Sequence, residues 1–300
     1  MLKLIYIAGY GRSGSTILDI LLGQHENVFG MGELSTMCRH VWARNEYCAC
    51  GARIRECVFW APVMSDWLSG GVALSDHLWL QRQIEPLYSP LRRPGGGKLG
   101  RYLAQTELLM ENVAARAGTS VLLDSSKMPG RGLALSMSSS VDLRVIHLVR
   151  DGRAVAHSMT RAMAIDVAKG RQKEIKPRSA YRTALRWRLY NSSVETLARR
   201  VGHDRFVRVR YEDLVADTPT QLQRIGRCVG LDLSDLGRRV SAGEPMSSVH
   251  QMAGSRIRME GRLMLEADTR WETEITATNR RRVTRVAGGQ LRRYGYLAEP

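Results

Sequence analysis

Leu2-Lys3-Leu4-Ile5-Tyr6-Ile7-Ala8, then Gly9-Tyr10-Gly11-Arg12-Ser13-Gly14-Ser15-Thr16, then Ile17-Leu18-Asp19-Ile20-Leu21-Leu22-Gly23 is the stretch from which the architecture can be worked out. The first segment is a short apolar run of the kind that forms a buried strand, and the third reads as a helix stopped by glycine. A glycine-rich turn between a strand and a helix makes an anion site. Its backbone N–H groups point inward, and the helix start adds unpaired N–H groups and the positive end of its dipole. The expected occupant is a phosphate or a sulfate.

A nucleotide-triphosphate loop of the Walker A kind reads GxxxxGK[ST]. Gly9 and Gly14 have that spacing and Thr16 fills the last place, but Ser15 stands where the lysine belongs. The nearby cation is Arg12, within the loop itself. Such a loop still cradles an anion, while lacking the lysine that reaches the β- and γ-phosphates of a nucleotide.

Gly11-Arg12-Ser13-Gly14-Ser15-Thr16-Ile17-Leu18 resembles the 5′-phosphosulfate loop of sulfotransferases that use 3′-phosphoadenosine 5′-phosphosulfate (PAPS), with Gly11 where proline is common. A second stretch strengthens the resemblance. Val141 to Val149 reads as a strand, Arg150-Asp151-Gly152 as a turn, and Arg153 to Ser158 as the start of a helix. The family's 3′-phosphate motif is an arginine at a strand end and a serine eight residues on, which Arg150 and Ser158 match. Arginine offers a bidentate fork to phosphate, and a serine two helical turns later can face the same anion. Two anion motifs on strand–helix units imply a ligand with phosphate at both ends; PAPS is such a ligand and ATP is not.

The resemblance assigns further roles. Glu33, after Val28-Phe29-Gly30-Met31-Gly32, matches the glutamate that takes the acceptor proton in protein tyrosyl sulfotransferases and their bacterial relatives; the plain alternative, on residue type alone, is a helix-capping or surface glutamate. Lys127, after the strand Ser120 to Asp124, matches a lysine that contacts the sulfate and the bridging oxygen, with Met128 departing from the usual polar residue; the plain alternative is an exposed lysine at a strand end. Tyr211, in Tyr211-Glu212-Asp213-Leu214, matches a tyrosine beside the adenine. His250-Gln251-Met252-Ala253-Gly254-Ser255-Arg256-Ile257-Arg258 resembles a bacterial pattern His-x3-Gly-Asn-x-x-Arg-Phe, whose loop closes over the 3′-phosphate. Arg258 aligns with its arginine and Arg256 is a neighbour, while Ser255 and Met259 depart. Asp268-Thr269-Arg270-Trp271 resembles a following Asp-x-x-Trp element.

The remaining chain reads as connecting helix and strand. Residues 35–44 and 61–91 look mostly helical and hold Trp42, Trp60, Trp67 and Trp79. Aromatic helices above a sheet edge make either an acceptor pocket or plain core. Arg92 to Lys98 is a glycine-rich loop, either a lid or a linker, and Leu99 to Ala117 is an amphipathic helix. Arg178 to Val201 is a long basic helix, Arg205 to Arg210 alternates as a strand, and Thr218-Pro219 opens a helix that Gly230 stops.

Composition sets the outer limits. The 300 residues suit one α/β domain with insertions or two small domains. No run reaches the ~18 apolar residues of a membrane span. The N-terminal apolar run leads straight into the loop without a leader-like pattern, so a cytoplasmic location is expected. The net charge of +16 attracts nucleic acid, anionic lipid or acidic small molecules. No nucleic-acid motif accompanies it, and a cofactor with several phosphates gives part of the charge a purpose. Of the five cysteines, Cys48, Cys50 and Cys57 lie close together, with Cys38 and His40 just upstream. Three thiols and a fourth ligand can hold zinc, although this spacing is not a standard one; buried or loop thiols are the other reading.

The expected fold is therefore one P-loop-like α/β domain over 1–300: a parallel sheet of four or five strands, helices on both faces, and a helical, acceptor-binding insertion at about 35–115. The resemblance implies a sulfotransferase moving a sulfuryl group from PAPS to a hydroxyl or amine of a small-molecule, carbohydrate or lipid acceptor, leaving 3′,5′-adenosine bisphosphate. It implies Glu33, Arg12 and Lys127 as catalytic groups, and Gly11, Arg12, Ser13, Gly14, Ser15, Thr16, Arg150, Ser158, Tyr211, Arg256 and Arg258 as cofactor contacts. No metal is required for the chemistry, no nucleic-acid partner is expected, and peripheral contact with anionic lipid is compatible with the charge. The rivals are a P-loop kinase of a small metabolite and a basic nucleic-acid binder.

Overall fold

In a computed structural model, which describes residues 1–92, 97–161, 176–254, 256–259 and 265–298, β1 (Leu2–Ala8) is the middle strand of the sheet. Beside it run β2 (Val28–Gly32), β3 (Val121–Lys127), β4 (Val141–Val149) and β5 (Phe206–Arg210), in the order β2-β3-β1-β4-β5. Every neighbouring pair is parallel. A central parallel strand is buried on both faces, which is why β1 is a continuous apolar run. Leu4, Tyr6 and Ala8 enter one core with Leu122, Leu143 and Val145. Ile5 and Ile7 enter the opposite core with Leu123, Ile146 and Leu148. Full burial of each such aliphatic side chain contributes about 1.5–3 kcal/mol.

Helices cover both faces. Trp60–Ser69, Gly97–Ala117, Pro129–Leu135 and Ala180–Val201 supply the first core. Ser15–Leu22, Tyr211–Ala216, Thr218–Val229 and Ser234–Ser241 supply the second. Pro129 opens its helix, and Gly230 closes Thr218–Val229 in a left-handed conformation.

Two sequence expectations needed refinement. Trp60 and Trp67 are fully buried core residues, whereas Trp79 is exposed under the Lys98 ammonium, 4.7 Å from its ring. Of the glycine-rich 92–98 loop, residues 93–96 lie outside the described residues; helices run up to Arg92 and from Gly97.

The edge strand β2 went unread as a strand because Gly30 and Gly32 interrupt its apolar pattern. Gly32 has φ of 80°, and a Cβ there would lie 2.0 Å from the Met252 carbonyl oxygen. The tail thus packs directly on the strand, through a parallel bridge between Gly32 and Met252.

The strands that follow β1 are added first on one side and then on the other. The strand order therefore switches sides at β1, and the carboxyl ends around such a switch point are the usual ligand position in an open α/β sheet. Gly9, Glu33, Lys127, Arg150 and Tyr211 all sit at such ends.

Candidate functional site

The loop after β1 turns into the helix Ser15–Leu22 through Gly14, whose φ is 89°. A Cβ at Gly14 would lie 2.5 Å from Cδ2 of Tyr211, so the loop backbone and that ring are in direct contact. The helix start carries no side-chain cap. Ser13 is 1% exposed and its hydroxyl has no hydrogen-bond partner among the described residues. Uncapped N–H groups and an orphaned buried hydroxyl on one turn are the features of an anion cradle.

Arg12 lies on the same loop with left-handed backbone, φ 68°, and Lys127 at the end of β3 has φ 64°. Side chains seldom adopt this region, and such strain, of order 1–3 kcal/mol, gathers at functional sites. Both cations face named partners. Arg12 Nε donates to Ser158 Oγ at 2.9 Å. Lys127 Nζ donates to Glu33 Oε1 at 2.6 Å and to the Ser125 carbonyl at 2.9 Å.

The second expected anion element is built from β4 and the helix Gly152–Met159. Asp151 caps that helix by accepting from the Arg153 N–H. Arg150 Nη1 donates to the Arg12 carbonyl at 3.3 Å, so the two motifs meet. Arg150 Nη2 donates to the Asp268 carbonyl at 3.0 Å and to its Oδ2 at 3.1 Å. The guanidinium also lies 4.8 Å from the centre of the Tyr211 ring. Tyr211 is buried and its hydroxyl donates to the Glu266 carbonyl. Gly11, Ser15 and Thr16 complete the loop, with Ser15 and Thr16 buried.

Glu33 follows β2, and its N–H donates to the Met252 carbonyl at 3.2 Å. A Cβ at Gly254 would stand 2.9 Å from Thr16 Oγ1 and 3.6 Å from Glu33 Oε1, which places the tail over both. Beneath this edge runs a buried network that sequence reading missed. Arg131 Nε donates to Asp124 Oδ2 at 2.8 Å and Nη1 to the Tyr102 hydroxyl at 2.7 Å. Asp124 Oδ1 accepts from the Ser126 N–H and hydroxyl, and Ser126 Oγ accepts from the Ser35 N–H. The network ties the end of β3 to the residues after β2, fixing Lys127 relative to Glu33.

The tail arginines separate. Arg258 is 3% exposed and its Nη2 donates to the Tyr47 carbonyl at 3.2 Å, with Glu46 and Glu33 near enough to act on its charge. The Arg256 side chain and Ser255 lie outside the described residues. Cys48, Cys50 and Cys57 draw together with His250 from the tail, not with the upstream Cys38 or His40 that the sequence suggested.

Asp19 is a further group that sequence reading passed over. It lies in the helix that follows the loop, against Gly30 of β2. It is 1% exposed, and among the described residues neither carboxylate oxygen has a partner at hydrogen-bonding geometry. Burial pushes its pKa up to about 7, only partly offset by Ser125, Gln251 and the Lys127 charge. Its sole sequence signal is a charged residue on the apolar face of a helix.

The family model described as the sulfotransferase family matches residues 5–235. Among solved structures, the chain is similar to the sulfotransferase domain from the Synechococcus PCC 7002 olefin synthase: 21% identity, 96% of this chain and 94% of that chain, TM-score 0.50. It is also similar to sulfotransferase STF9 from Mycobacterium avium: 12% identity, 98% of this chain and 77% of that chain, TM-score 0.50. At these identities the likeness concerns the fold. No curated protein sequence matches the chain at a significant level.

Proposed function

The chain belongs to the sulfotransferase family, and from that premise we propose that it transfers a sulfuryl group from PAPS to a hydroxyl or amine of a small-molecule, carbohydrate or lipid acceptor, releasing 3′,5′-adenosine bisphosphate. The observation that carries this reading is the junction of two anion elements, where Arg12 Nε bonds Ser158 Oγ and Arg150 Nη1 bonds the Arg12 carbonyl. A ligand with an anion at each end suits such a pair better than a linear triphosphate does. The orphaned Ser13 hydroxyl and the uncapped start of the helix Ser15–Leu22 fit a phosphosulfate at the loop.

PAPS supplies an activated sulfuryl group, and the chain's own residues do the positioning and the electrostatics. Backbone N–H groups from Ser13 to Thr16 hold the 5′ end. Arg150 and Ser158 hold the 3′-phosphate, with Asp268 yielding its place on the guanidinium. Tyr211 borders the adenine, and the tail arginines Arg256 and Arg258 are assigned to the cofactor on the family resemblance. In-line transfer spreads negative charge over the moving group and the bridging oxygen, which Lys127 and Arg12 stabilise. Glu33 takes the acceptor proton. The sulfuryl group carries a single negative charge, so two cations suffice without a metal at the reacting atoms. The helical region at 35–115 borders Glu33 and is assigned to the acceptor.

The test is incubation of the purified chain with sulfur-labelled PAPS and fractionated cell metabolites. Label should move to an acceptor with equal release of adenosine bisphosphate. Magnesium-dependent transfer of phosphate from ATP, with no sulfur transfer, would establish the kinase reading instead.

A further inference from the structure

Three cysteines of the 43–59 loop and one histidine of the tail converge on a single point. Cys48, Cys50, Cys57 and His250 offer four ligand atoms that all lie within 4.8 Å of one another. Cys48 Sγ is 3.8 Å and Cys57 Sγ 3.5 Å from His250 Nδ1, and Cys50 Sγ is 3.7 Å from Cys57 Sγ. A tetrahedral ion with Zn–S bonds of about 2.3 Å and Zn–N bonds of about 2.0–2.1 Å has S···S edges near ~3.8 Å and S···N edges near ~3.6 Å. These three separations match such edges, all four ligand atoms lie within 4.8 Å of one another, and the Cys50–Cys57 pair at 3.7 Å is far from the ~2.05 Å of a disulfide.

The surroundings are built to hold these ligands. The loop folds back on itself, with the Cys48 N–H donating to the Ala52 carbonyl and the Gly51 N–H to the Cys48 carbonyl. The His250 ring stacks on Phe59 with centroids 5.2 Å apart, and its carbonyl accepts from Trp60 Nε1 at 2.6 Å. The Ala49 N–H donates to the Gln251 carbonyl. Arg258, buried nearby, can offset the net negative charge of an ion bound by three thiolates.

We propose that Cys48, Cys50, Cys57 and His250 bind one zinc ion as a closed structural site that fastens the 43–59 loop to the tail. Four protein ligands leave no open position, so the ion has no part in the chemistry. Its effect reaches the site through the chain. Two residues beyond His250, Met252 bridges Gly32 and accepts from the Glu33 N–H; two further on, Gly254 lies against Thr16 and Glu33. The ion therefore anchors the segment that holds Glu33 in place.

The proposal does not rest on the sulfotransfer reading, and its test reads metal rather than turnover. The chain is purified under reducing conditions without chelator and analysed for metals, then stripped and titrated with zinc and with cobalt. About one zinc per chain is expected, and cobalt should give the strong visible bands and thiolate charge-transfer absorption of a tetrahedral sulfur-rich site. Cys50→Ser, at the exposed ligand, should weaken zinc binding at least tenfold with the fold intact by circular dichroism. His250→Ala should alter the cobalt spectrum. A reduced, folded wild-type chain that takes up no zinc, a Cys50–Cys57 disulfide in the native protein, or unchanged zinc affinity in both variants would overturn the proposal.

Discussion

Lys127 Nζ stands 2.6 Å from Glu33 Oε1, joining the ends of the neighbouring strands β3 and β2. The pair is only partly buried, with side-chain exposures of 13% and 21%, so its worth to stability is small. Its worth lies in position: the proposed proton acceptor and the cation assigned to the bridging oxygen are one hydrogen bond apart. Glu33→Gln keeps shape and hydrogen bonding but cannot take a proton. Turnover should fall by ~10²–10⁴, the usual share of general-base catalysis. Affinity for adenosine bisphosphate, measured by calorimetry, should stay within a few-fold of wild type. Turnover within a few-fold of wild type would remove Glu33 as the base.

Arg150 bonds both Asp268 and the loop carbonyl of Arg12. Arg150→Ala should weaken adenosine bisphosphate binding roughly ten- to a hundredfold, since a charge-assisted bond is worth about 1.5–3 kcal/mol. Asp268→Asn should act in the opposite direction, because a phosphate no longer displaces a carboxylate. Titration of both variants checks the pair; equal weakening by both would make the Arg150–Asp268 contact structural.

Gly14 is a tight point of the loop. Gly14→Ala places a methyl against the Tyr211 ring on left-handed backbone. The expected cost is about 1–3 kcal/mol in urea unfolding, together with loss of adenosine bisphosphate binding. Wild-type stability and affinity in this variant would show that the loop has slack.

Asp19 carries a pH signature. Its carboxyl ionises near 3.8 in an unfolded chain and at about 7 in the folded one. Between these values the folded state holds the extra proton. Its stabilising effect is therefore full below about pH 4, is lost at about 1.4 kcal/mol per pH unit as pH rises toward 7, and stays lost above, where the slope vanishes. Asp19→Asn should remove this slope from urea-unfolding curves collected between pH 4.5 and 8. The same slope in wild type and variant would place the titrating group elsewhere.

What could be read from the sequence followed contact range. Gly9 to Thr16 announce their turn locally, and Arg150 and Ser158 are set by one strand–helix junction, so their spacing was informative. Four of the five strands carry apolar or alternating stretches, although β3 is apolar only from Val121 to Leu123 and runs on through Asp124-Ser125-Ser126-Lys127. β2 does not, because Gly30 and Gly32 make room for Asp19 and for the Met252 carbonyl, contacts made by residues distant in sequence or on the preceding helix. His250 joins cysteines about two hundred positions away, and Asp268 meets Arg150 across 118 positions. Such pairings follow from the folded path of the tail, which no local pattern encodes.

The central claim is that the loop and Arg150 together hold a nucleotide with separate 5′ and 3′ anions. Calorimetry of the purified chain with 3′,5′-adenosine bisphosphate, magnesium-ATP and duplex DNA tests it most directly. Saturable one-to-one binding of the bisphosphate, at least tenfold tighter than ATP and weakened by Arg150→Ala, is the predicted result. Preference for magnesium-ATP, or binding to DNA alone with a steep salt dependence, would contradict it.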